Sequence, residues 1–288
     1  MKHLLLTRFQ GGLMGGNIIY LSQRQIAPNQ LFLDSTPAMM GGIDSLIRCG
    51  GFNLEDWLQS TSSIEDVPGR SIIAMVPLML FFHEDRPKLR QIIIDISRSQ
   101  KLDWETCSSA IAIGYIISRS ISETSEPREI IPQLLDEMTN LHPLLFQQLS
   151  EIDRLLAQPS SLQQTLQKLT ITTHLTLTPT TLAIYCFLST PEDFSLAIRC
   201  AHQIPHQTQL TCALTGILAG VHNSSTGIPL NGLLATQQRL QWITTSENLL
   251  NLWAGVYQIP GGASAEEHRF PIPYTLPIAA PKVIQQRD

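Results

Sequence analysis

Residues 182–220, LAIYCFLSTPEDFSLAIRCAHQIPHQTQLTCALTGILAG, decide how this chain is read. Apolar residues at Leu182, Ile184, Tyr185 and Leu188 mark a helix from about Thr180 to Leu188, which Ser189, Thr190 and Pro191 break. A second helix is expected to begin at once, with Pro191, Glu192 and Asp193 in its first turn and Phe194, Ala197, Ile198 and Ala201 as its buried stripe. After Ile204-Pro205 a third helix carries Ala213, Gly216, Ala219 and Gly220, a small-residue face that lets a neighbouring helix approach closely. Before it lies a polar knot, Gln207-Thr208-Gln209.

Outward from this segment the chain reads as a string of helices with brief breaks and no fixed repeat. Helical patterns fall at 4–24, 36–50, 54–60, 69–83, 86–98, 104–121, 127–138, 142–157, 160–168, 179–188, 191–203, 206–222, 229–238 and 246–257. Strand signals are scarce. ITTHLTLT (171–178) alternates like a strand, but one strand has nothing to pair with, so an extended loop is expected there, and another over 58–69. The expected architecture is all-α: one compact multi-helix domain over 1–258. A Gly/Pro-rich tail over 259–288 follows, whose PIPYTLPIAAP run favours extended or polyproline II backbone.

Composition fits. With 43% apolar and 15% charged residues, 288 residues bury a sizeable core. A net charge of −5 without a Lys/Arg cluster argues against a nucleic-acid partner. MKHLLLTRF has too short an apolar run for a signal peptide, and no run of about 18 apolar residues is present to span a membrane. The five cysteines (Cys49, Cys107, Cys186, Cys200, Cys212) lack CxxC spacing and read as buried thiols in a reducing cytoplasm. No GxSxG, GxxxxGK[ST] or GxGxxG motif in its proper setting occurs. His83-Glu84-Asp85 reads as a solvated turn ahead of Arg86-Pro87.

Residues 182–220 resemble the last conserved block of the ADP-ribosylglycohydrolase family, without a gap. Phe187, Ser189 to Phe194 and Ala197 match its first half, and Ala213, Gly216 and Ala219-Gly220 its second. The family's Gly-Gly-Asp-x-Asp-Thr falls on Pro205 to Leu210, so both aspartates are glutamines, Gln207 and Gln209. RFQGGLMGG (8–16) resembles the family's opening helix, with its Gly-Asp pair falling on Ile19 and Tyr20. LDSTPAMM (33–40) resembles the Thr-Asp-Asp-Thr motif, of which Asp34 and Thr36 survive, and AMVPLML (74–80) resembles a later helix with its arginine position apolar.

The resemblance implies the family's helical fold and a cleft that, in the family, holds two Mg²⁺ ions on aspartates. Hard cations of that kind want anionic oxygens, usually one or two carboxylates per ion. Here Asp34 alone remains of the four aspartates in the two ligand motifs, a weak metal candidate with Thr36 and the Gln207 and Gln209 carbonyls beside it. The remnant cleft is expected at Tyr20, Asp34, Ser35, Thr36, His206, Gln207, Thr208 and Gln209. Each has a plain reading too. Asp34 caps a helix, Tyr20 fills space, His206 plugs the cleft, and Gln207 to Gln209 form a solvated helix start. The leading expectation is a catalytically degenerate, cytoplasmic protein without a cofactor, which binds or scaffolds an unknown protein partner or an ADP-ribose-like ligand. The alternative is an active hydrolase of ADP-ribosyl N- or O-glycosidic bonds, whose Mg²⁺ would sit at a rearranged site that recruits Asp44, Glu55 or Asp56.

Overall fold

A computed structural model describes residues 2–26, 36–61, 69–122, 126–138, 140–158, 162–169, 176–204, 208–229 and 236–256; at 2–4, 18–26, 38, 162, 166, 208 and 236–238 only the backbone is described. In chain order the helices are α1 (Lys2–Ile26), α2 (Thr36–Cys49), α3 (Leu54–Ser60), α4 (Arg70–Ala74), α5 (Val76–Phe81), α6 (Arg86–Ser99) and α7 (Trp104–Ser122). They continue with α8 (Ile130–Glu137), α9 (Pro143–Leu156), α10 (Leu162–Leu169), α11 (Leu177–Ser189), α12 (Phe194–His202), α13 (Thr208–Asn223) and α14 (Thr236–Trp253). No strand occurs among the described residues, and the fold is all-α.

α13 is the axis. It packs on α1, α11, α12 and α7, and Leu214, Ile217, Leu218, Ala219 and Val221 are all buried, as in a helix that is apolar all round. Its hydroxyls are satisfied locally where they can be: Thr215 Oγ1 donates to the Thr211 carbonyl at 2.7 Å. α11, α12 and α13 run up, down and up. Asn223 Nδ2, at the end of α13, donates to the Pro191 carbonyl at 2.8 Å in the turn between α11 and α12. α9 covers α11, α8 packs on α9 and α7, and α14 lies across α1, α2 and α5. Buried apolar residues from Phe9 to Leu250 form one cluster.

Three elements differ from the sequence reading. α12 starts at Phe194 rather than Pro191, because Asp193 takes an extended conformation (φ −133°, ψ 103°) and its carboxylate accepts from Leu196 N. The expected helix over 69–83 divides at Met75, since Pro77 lacks the N–H that would continue the ladder of α4. The break expected between the helices at 229–238 and 246–257 is closed: α14 runs unbroken from Thr236 to Trp253, and 230–235 lie outside the described residues. The polar Thr244-Thr245-Ser246 stretch stays helical because buried Ser246 Oγ donates to the Trp242 carbonyl at 2.6 Å. The tail over 259–288 and the strand-like 171–175 lie outside the described residues.

Candidate functional site

The site is built on a glycine seam between α1 and α13. A methyl carbon placed on Gly11 would stand 1.9 Å from the Gly220 carbonyl oxygen, and one placed on Gly15 would stand 2.0 Å from that of Gly216. The two backbones therefore touch directly, which only glycine permits at these positions. As the residue number rises by four on α1 it falls by four on α13, so the helices run antiparallel. Continued by one more step, the pairing sets Ile19 level with Cys212. The last turns of α1, which carry the backbone of Tyr20, thus run beside the first turns of α13, which hold Thr208 and Gln209.

Two further helix starts join them. Thr36 opens α2, and its Oγ1 donates to Asn17 Oδ1 at 2.7 Å, while Asn17 Nδ2 donates to the Leu13 carbonyl at 2.9 Å. Buried Asn17 so ties the beginning of α2 to the middle of α1. Gly69 precedes α4 with φ 83°, a left-handed conformation, and a methyl carbon there would stand 2.1 Å from Leu210 Cδ2. The starts of α2, α4 and α13 thereby gather around the C-terminal half of α1. Of the expected cleft residues, Thr36, Thr208 and Gln209 and the backbone of Tyr20 are placed in this region, and Gln209 is half-buried. Asp34, Ser35, His206 and Gln207 lie outside the described residues.

The reserve carboxylates are engaged or remote. Asp56 receives a two-pronged bond from Arg48, Nε to Oδ1 at 3.0 Å and Nη2 to Oδ2 at 2.8 Å. That guanidinium, with help from Ser45, lowers the Asp56 carboxyl to about 2. Asp44 is exposed on α2, two turns beyond Thr36, and Glu55 is exposed in the first turn of α3.

Two buried polar residues escaped the sequence reading, one at the site and one away from it. Asn17 is one; its signal was a lone amide in an apolar helix between Gly16 and Ile18. The other is His83, which is 3% exposed rather than solvated. Its Nδ1 donates to the Leu80 carbonyl at 2.7 Å, and its ring lies 5.8 Å from Phe9 and 5.2 Å from Trp253. Burial lowers the imidazole below its ordinary value and favours the neutral form. Only Asp85 of that turn behaves as a helix start, accepting from Lys88 N at 3.1 Å.

The thiols also divide. Cys49 is exposed and Cys107 and Cys200 are half-buried, against the expectation that all five are buried. A hydrogen bond with the Cys200 thiol, together with burial, raises the Cys186 thiol, and burial raises Cys212 to about 12. Cys212 Sγ lies 3.9 Å from His202 Nδ1. Among the described residues no group of three His, Cys, Asp or Glu side chains is arranged to hold a metal ion.

The family model described as ADP-ribosylglycohydrolase matches residues 23–258. The chain belongs to the ADP-ribosylglycohydrolase family. The match takes in α2 to α14, and the likeness of RFQGGLMGG to the family's first helix lies ahead of it. Among solved structures, one described as an ADP-ribosylglycohydrolase-related protein complex superposes with a TM-score of 0.68 at 14% identity, covering 86% of this chain and 99% of its own. At that identity the likeness speaks for the fold. No curated protein matches the chain in sequence. Among the described residues, no helix is long and apolar enough to cross a membrane.

Proposed function

We propose that this chain is an ADP-ribosylglycohydrolase-family protein that has given up the hydrolytic reaction and acts by binding, through the cleft around the C-terminal half of α1. The single observation that carries this reading is the register of the glycine seam. It brings the helix positions of Tyr20 and Gln209 to the same end of the α1/α13 pair, where the resemblance assigns aspartates to the family. The donor set does not fit a pair of Mg²⁺ ions. Glutamine offers a neutral amide oxygen where a carboxylate is wanted, and the Thr36 hydroxyl is committed to Asn17. Asp34 remains as one carboxylate, too little charge for two divalent cations.

A cleft of this kind keeps what does not depend on the metal. The opening amides of α2 and α13 attract negative charge, which suits the phosphates of an ADP-ribose-like ligand or an acidic segment of a protein partner. In the same reading, residues 1–258 form the binding domain, 259–288 are an appended tail, and the protein works in the cytoplasm. Hydrolysis with a rearranged Mg²⁺ site is the less favoured reading, since Asp56 would have to abandon Arg48 to serve it.

Calorimetric titration of Mg²⁺ and Mn²⁺ into the whole protein, with and without ADP-ribose, and again with Asp34→Ala, tests the proposal. The expected result is no metal binding tighter than the millimolar range in either protein. Sub-millimolar metal binding that disappears in Asp34→Ala would overturn it and send the protein to an assay for ADP-ribose release.

A further inference from the structure

A second cavity opens at the other end of the molecule. Its volume is about 620 Å³, and it lies between the start of α8, the end of α9 and the end of α11. The end of α11 is also the end of α13: His222 stacks 5.5 Å from Phe187, and Asn223 binds the Pro191 carbonyl. The cleft sits at the beginning of α13, and 16 helical residues span about 24 Å, so the two openings are separated by the length of that helix.

The lining is amphipathic. Ile131 and Leu188 supply apolar wall, and Arg128, Asp153, Gln158 and Tyr185 supply polar groups. None of these four side chains has a protein partner among the described residues. The cation nearest in sequence to Asp153 is Arg154, which is committed to Glu151 at 2.6 Å. Tyr185 is the sharpest case. It lines the cavity and is 6% exposed, and no hydrogen bond ties its hydroxyl to a described residue. Burial also raises the Asp153 carboxyl above its usual range, so a cation brought beside it would favour its charged form.

A guanidinium and a carboxyl that share one cavity without neutralising each other call for a ligand with the complementary pair. The geometry points to a binding site for a small zwitterion with an apolar body, of amino-acid or dipeptide scale: its anionic group on Arg128, its ammonium on Asp153, its apolar part against Ile131 and Leu188. The Tyr185 hydroxyl and the Gln158 amide complete the polar contacts. The volume lies within the range of small-molecule sites, about 300–1,000 Å³. Nothing in this inference depends on the state of the metal cleft.

The test is calorimetry on the full chain with three probes: L-phenylalanine, phenethylamine, which lacks the carboxylate, and 3-phenylpropionate, which lacks the ammonium. L-Phenylalanine is expected to bind at least tenfold more tightly than either analogue. Arg128→Gln should reduce its affinity to that of phenethylamine, and Tyr185→Phe should weaken it about fivefold. Arg128 is exposed on a short turn, so its replacement leaves the core intact. Asp34→Ala should change nothing. Equal affinity for all three probes, no binding of L-phenylalanine, full affinity in Arg128→Gln, or loss of binding in Asp34→Ala would each overturn the assignment.

Discussion

Replacing Gly15 by alanine tests the seam on which the cleft is built. The added methyl carbon would stand 2.0 Å from the Gly216 carbonyl oxygen and 2.7 Å from its carbon. In close helix packing, carbon and carbonyl oxygen approach to about 3.3 Å, so α1 and α13 must part by about 1.3 Å. Both obstructing atoms are backbone and cannot swing aside. Alanine is the better helix former by about 1 kcal/mol, which offsets part of the damage. Against that stand an overpacking cost of about 1–3 kcal/mol and the gaps opened beside Phe9, Leu13 and Met14 as α1 lifts, a loss of similar size. The expected net is a destabilisation of about 2–3 kcal/mol, read by scanning calorimetry as a fall in Tm of roughly 5–8 °C. Gly114→Ala is the control. Its methyl would meet Leu89 Cδ2 at 3.2 Å, Met79 Cγ at 3.4 Å and Ile93 Cδ1 at 3.6 Å, side-chain atoms that can move, so its stability should stay within about 1 kcal/mol of the parent. A Gly15→Ala protein as stable as the parent would refute the tight antiparallel seam, and with it the placement of Tyr20 beside the start of α13.

Two further predictions concern single side chains. Asp193→Ala should cost about 1 kcal/mol, because the Leu196 amide loses its 2.9 Å acceptor at the start of α12, while Asp193→Asn should cost only a few tenths; thermal melts separate the two. For His83, burial holds the folded-state pKa below the ordinary 6.5, so below that pH the unfolded chain binds the extra proton and stability drops as pH falls. Between pH 7.5 and 5.5 this residue should remove about 1 kcal/mol, and urea melts of the parent and of His83→Gln should differ in pH dependence by that amount. Parallel pH profiles for the two proteins would rule out a neutral buried imidazole.

Most of the helices were legible because their apolar spacing is carried by consecutive turns. The errors fall where two local signals compete. In Pro191-Glu192-Asp193 the proline suits a first helical turn and the aspartate suits a cap, and only the bond from Leu196 N decides between them. Thr244-Thr245-Ser246 carries hydroxyls that favour a break in solvent, yet the buried Ser246 hydroxyl bonds back to the helix at the Trp242 carbonyl. At the site, the glycine pairs of α1 were visible as small residues, but their level matching with Gly216 and Gly220 is a tertiary fact. Asn17 and His83 were hidden for the same reason: a lone polar residue in an apolar run becomes informative once its partners, Thr36 and Leu80, are known. The cavity near Arg128 left no mark on the sequence, since its walls come from three separate helices.

The proposed loss of the family's aspartates is compatible with the fold because of where the two kinds of residue sit. The seam, the α13 axis and the caps at Asn53, Asp85 and Asp193 are held by backbone contact, burial and local hydrogen bonds, none of which involves the cleft. Metal-ligand aspartates at helix starts contribute little to such a framework. A carboxylate near a helix N-terminus is worth about 0.3–1 kcal/mol, and several of them around an empty site repel one another. On the proposed reading, Gln207 and Gln209 in place of the family's aspartates remove a charge cluster that only bound cations would neutralise, while the contacts of Gly11 with Gly220 and of Gly15 with Gly216 depend on neither side chain. A chain of that kind would keep its fold without the ions, leaving selection on the cleft to act on what it binds.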